Sequence, residues 1–204
     1  MNPSRRLTAL LAALLLAGCA TLPTAPPAAP VRADTPMTLA SFDGALLSRD
    51  IFTETNRVRA EFQLKPFAPN PGLDAAADEQ TSYMALVLRA AHTNPVPGER
   101  NVSERVQREG VLAVHVGENA IMKSALRPPG SVLPEFGYAE YARILVDAWM
   151  NSPDHRANIL NPTFSELGCS ARLAHGVLKG DERVVSIQVF VRPPIYGAEG
   201  TLSR

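Results

Sequence analysis

Residues 183–191 read RVVSIQVFV. On an extended chain successive side chains point to opposite faces, so Val185, Ile187, Val189 and Val191 share one side. Val184, Ser186, Gln188 and Phe190 share the other. The stretch SELGCSARLA (165–174) precedes it across HGVLKGDE (175–182), and two such runs joined by a turn predict a β-hairpin. Residues 111–122 offer a third strand.

Upstream of the hairpin the apolar period changes from two to that of a helix. Leu47, Ile51, Val58 and Phe62 recur at helical spacing with Arg49, Asp50, Glu54, Asn56 and Arg57 between them, which predicts an amphipathic helix over 46–62. Asn70-Pro71 supplies an N-cap and a first-turn proline, and Leu73, Ala76, Ala77, Gln80, Met84 and Leu88 trace one face to about Ala90. Asn101 and Glu104 have capping-box spacing and Gly110 a stop, predicting a short helix over 102–109. A further helix is expected from Phe136 to Met150, carrying Tyr138, Tyr141, Ala142, Leu145 and Trp149 inward, before Ser152-Pro153 ends it and caps a shorter one. Helices first and a strand pair last predict an α+β domain with a small antiparallel sheet.

The 204 residues, 46% of them hydrophobic, suffice for one sizeable domain plus an appendage. Twenty basic residues balance twenty acidic ones, so no overall field draws the chain to nucleic acid, and none is expected as a partner. Two cysteines, Cys19 and Cys169, exclude a disulfide framework.

The appendage is N-terminal. MNPSRRLTALLAALLLAGC (1–19) places Arg5 and Arg6 before an apolar run from Leu7 to Leu16, the layout of a secretory signal and too short to span a bilayer. Its end resembles the lipobox of bacterial lipoproteins. The resemblance implies a signal peptide over 1–18, acyl chains on Cys19 that anchor the chain in a membrane, and, with alanine at position 20, the outer membrane of a Gram-negative host. ATLPTAPPAAPVRADTP (20–36) is too rich in Ala, Pro and Thr to fold alone and reads as a spacer. The expected organisation is a lipidated cysteine and tether over 19–40, a domain over 41–195 and a tail over 196–204.

Four histidines are available for chemistry. His175 falls in the hairpin turn, and His115 lies three residues before Glu118, on the opposite face of a strand. His92 follows a helix end and reads equally as a C-terminal cation. His155 opens a short helix, where a positive charge opposes the helix dipole and a neutral imidazole is favoured. Cys169, within a strand, reads as a buried apolar thiol. No H-E-x-x-H, G-x-S-x-G, P-loop or paired-cysteine motif is present.

Taken in order, NRVRAEFQLKPFAPNPGLDAAADEQTSYMA (56–85), AHTN (91–94), VGEN (116–119), AWMNSPDHRANIL (148–160) and FSELGCS (164–170) resemble the CAP, or SCP-like, superfamily, and its bacterial members above all. The likeness covers about 48–192. It implies an α/β/α sandwich in which helices flank a three-stranded antiparallel sheet. It also implies that His92, Glu118 and His155 converge in one cavity, a donor set suited to zinc or another divalent cation. Where fuller members carry a second glutamate after the helix tryptophan, this chain has Ser152, with Asp154 nearby. Asn119 is expected to tie strand to loop, Arg156 and Asn158 to cap and brace the short helix, and Trp149 to lie in the core. The function implied is a non-catalytic, membrane-tethered module of the cell envelope whose cavity holds a lipid-like or cell-wall ligand. The alternatives are a metal-dependent hydrolase or peptidase, in which zinc would activate water, and a structural or adhesion element.

Overall fold

The structure is a computed structural model that describes residues 34–132, 135–176, 178 and 180–194. The signal peptide, Cys19, the spacer through residue 33 and the tail over 196–204 lie outside the described residues.

Nine main elements follow in the order α1 (Gly44–Glu61), β1 (Ala68–Pro69), α2 (Pro71–Val87), α3 (Val102–Arg108), β2 (His115–Ser124), α4 (Tyr138–Met150), α5 (Pro153–Ile159), β3 (Glu166–His175) and β4 (Glu182–Arg192) among the described residues. Two of the expected caps are present: Asn70 Oδ1 accepts from the Gly72 amide at 2.9 Å and Asn101 Oδ1 from the Glu104 amide at 3.0 Å. Helix α2 stops at Val87 rather than Ala90, because Leu88 turns left-handed (φ 51°) and returns its N–H to Met84.

Strands β3 and β4 form the expected antiparallel hairpin, and β2 pairs antiparallel with the far side of β4. The three-stranded expectation needs correction. The sheet has four strands in the order β1-β3-β4-β2, the fourth being the two-residue β1, parallel to β3 at Ala68↔Glu166 and Pro69↔Leu167. Two residues, one of them a proline without an N–H, carry no periodicity that could reveal a strand.

The alternation in β4 separates two cores. Val184 and Phe190 pack with Leu47, Ile51, Tyr141, Leu145 and Trp149 of α1 and α4. Val185, Ile187, Val189 and Val191 pack with Leu73, Ala76, Ala77, Met84 and Val106 of α2 and α3. Helices therefore cover both faces, giving the α/β/α sandwich. Gly168 allows the closest approach between layers: a side-chain carbon there would stand 2.2 Å from the backbone carbon of Leu73.

Asp34, upstream of Ser41, already contacts α4. Gly137, before α4, has no side chain to cap the helix, and Asp34 supplies one: its carboxylate accepts from the Ala139 and Glu140 amides, each at 2.9 Å. Met37 is buried in the core beneath.

Candidate functional site

The VGEN segment lies on β2, an edge strand, and its last three residues serve three purposes. Gly117 makes room: a side-chain carbon would meet the Phe164 ring at 2.9 Å and Asn158 Oδ1 at 3.0 Å. Glu118 faces the α2/α3 layer and Asn119 the opposite one. Asn119 donates to Gln188 Oε1 at 3.0 Å and to the His155 carbonyl at 3.1 Å, and accepts from Asn158 at 2.8 Å. Asn158 also donates to the Glu118 carbonyl at 3.3 Å. These amides pin α5, and His155 with it, to the edge of the sheet. From α1, Arg59 Nη1 donates to the carbonyls of Ile159 and Asn161 at 2.7 and 3.1 Å, holding the far end of α5.

Glu118 is the centre of the site. Its side chain is 3% exposed, and Oε1 accepts from His92 Nδ1 at 2.8 Å. Its other oxygen, Oε2, accepts from Arg105 Nη2. Arg105 is 0% exposed, its Nη1 donates to the Glu99 carbonyl at 2.9 Å, and its Nε has no partner among the described residues. The loop carrying His92 is held from α2, where the buried Gln80 amide donates to the Ala91 carbonyl at 2.6 Å.

The two imidazoles have opposite environments. The hydrogen bond to Glu118 raises the His92 pKa above the ordinary 6.5, against a smaller opposing effect of burial. His155 is shifted down, first by burial and then by the neighbouring His92. Among the described residues no three His, Cys, Asp or Glu side chains form a group able to hold a metal ion. The structure thus joins His92 to Glu118 and leaves His155 outside their hydrogen bonds.

The model of the cysteine-rich secretory protein family, CAP, matches residues 52–179. This chain belongs to that family. Among solved structures, the CAP domain is similar to an extracellular protein with an SCP domain from Bacillus anthracis, at 23% identity and TM-score 0.54 over 73% of this chain. This chain spans only 41% of the length of that protein. It is also similar to an outer surface protein from Borrelia burgdorferi, at 15% identity and TM-score 0.51, over 72% of this chain and 92% of that one. These likenesses concern the fold. No curated protein matches the sequence.

Within this CAP domain the remaining sequence candidates have structural places. His115 sits edge-on to Phe164 at 5.3 Å between ring centroids, and His175 ends β3 opposite Glu182. Trp149 and Cys169 are buried, and burial raises the thiol pKa well above its ordinary value. Ser152 takes the N-cap position of α5 without a side-chain capping bond. Neither Ser152 nor Asp154 hydrogen-bonds to His92, Glu118 or His155 among the described residues. Asn158 reaches β2 instead of capping α5, and the Arg156 guanidinium lies 5.4 Å from the Phe62 ring centre.

Two features escaped the sequence. Arg105 shares the inward face of α3 with Val102 and Val106, a spacing that marks it as buried, although a charged residue in a short helix ordinarily faces solvent. The other is a groove of about 1060 Å³ on the far side of the sheet from β2, between α1, α2 and the outer edge of β3. None of His92, Glu118 or His155 lines it.

Proposed function

We propose that this CAP domain is a non-catalytic binding module of the cell envelope, tethered by acyl chains on Cys19, whose groove holds a small amphiphilic ligand. The groove carries this reading. Its volume suits a small-molecule site, and it joins an apolar wall of Leu39, Phe42 and Phe52 to polar groups from Arg49, Ser170 and Arg172. An apolar body and a polar head are what such a lining would bind. Envelope localisation is supported by the signal-like N-terminus and by the similar proteins described as extracellular and as an outer surface protein. No helix among the described residues is long and apolar enough to cross a membrane.

The test is native mass spectrometry and solvent extraction of the full chain beside an Ala45→Trp variant, which places an indole in the groove. A co-purifying or added fatty acid retained by the parent and lost from the variant is the expected result. Failure of the parent to retain or take up any apolar ligand overturns the groove reading. Palmitate labelling of the chain and of Cys19→Ser tests the anchor separately, and label surviving in the variant refutes it.

A further inference from the structure

We propose that Arg105 is the resident cation of the His92–Glu118 site, so that this site takes no divalent metal and instead presents His92 as an imidazole oriented by a carboxylate. The inference stands apart from the groove reading.

A zinc site needs donors with lone pairs free to converge on one point. Both oxygens of Glu118 are engaged, one by Arg105 and one by His92. A guanidinium does not lose its proton in a protein, so the charge beside Glu118 is permanent and repels a second cation. Arg105 cannot swing aside into water either. It is wholly buried, fastened to the Glu99 carbonyl, and carried on a helix whose Val106 is in the core. The residues therefore do not fit the zinc set that the family resemblance implies.

The same pairing determines what His92 offers. A carboxylate already paired with Arg105 accepts hydrogen bonds, so Nδ1 of His92 carries the proton and Nε2 of the neutral ring keeps its lone pair. The His92 side chain is 57% exposed while Glu118 is 3% exposed, so the oriented ring stands at the surface over a buried support. The chemistry that fits it is a hydroxyl on an outside molecule, which can donate to Nε2 of the neutral ring and accept from it once the ring is protonated.

Zinc titration by calorimetry of the full chain in detergent, beside Arg105→Met and Arg105→Met/His92→Ala, tests the assignment. The parent is expected to show no saturable binding. Arg105→Met, with its fold verified by circular dichroism, is expected to bind zinc more tightly than the parent, and the added His92→Ala to remove that gain. Stoichiometric zinc in the parent overturns the proposal, and so does a folded Arg105→Met that gains none. Should Arg105→Met fail to fold, nitrogen NMR of the parent's imidazoles decides. His92 protonated at Nδ1 and unmoved by zinc supports the proposal, and a zinc-dependent shift of its nitrogens refutes it.

Discussion

Glu118→Gln is the most informative single change, because it removes one charge of the Arg105–Glu118 pair while keeping the shape of the side chain. Arg105 is 0% and Glu118 3% exposed, so solvent screens the pair little and a guanidinium left behind has no water to turn to. Breaking a buried pair by removing one partner costs about 3–5 kcal/mol. His92 can still donate to the amide oxygen of glutamine, so this bond adds little to the loss. At about 2–4 °C per kcal/mol for a domain of this size, the melting temperature should fall by about 6–20 °C. Replacing both partners together, as Arg105→Met/Glu118→Leu, should recover most of that stability, since two buried charges then give way to apolar groups. Urea unfolding at pH 7, followed by tryptophan fluorescence and far-ultraviolet circular dichroism, measures all three proteins. A loss below about 1 kcal/mol in Glu118→Gln, or a double variant no more stable than the single, would refute the view of the pair as a buried, mutually dependent unit.

Proton NMR should resolve two imidazoles on either side of the ordinary pKa of 6.5, His92 above and His155 below. The raised His92 contributes stability below its unfolded pKa that is lost as pH climbs through its folded one, whereas the depressed His155 removes stability as pH falls below about 6.5. The reverse order of the two titrations would contradict the assigned contacts. Gly168→Ala should cost about 2–4 kcal/mol by overpacking, because the added carbon meets α2 backbone at 2.2 Å and the helix cannot retreat without straining the 2.8 Å bond from the Cys169 amide to Asp74. A neutral result in thermal melts would mean that α2 sits less tightly on β3. Asp34→Ala should cost about 1 kcal/mol by uncapping α4, and a wild-type denaturation midpoint would show the cap to be dispensable.

What could be read in advance depended on how far along the chain the cause lay. The helix starts at Asn70 and Asn101 rest on a signal within three residues, and the β4 alternation sorted its residues between the two faces. His92, Glu118 and His155 were legible as members of ordered sequence blocks, without any indication of which would touch. A partner on another element leaves no local periodicity behind.

The sequence by itself therefore determined the class of fold and the run of elements, because a strand or helix writes its own burial into its period, while only its likeness to the family pointed to the polar residues around β2. Only the tertiary structure decided that Arg105, 13 residues from Glu118, turns inward to hold its carboxylate, and that Asp34 caps a helix 105 residues away. It alone added β1 to the sheet and opened the groove beside β3. Pairing of charges, capping between distant segments and the shape of a groove arise where independent elements meet, and their geometry exists only once both faces of the sheet are packed.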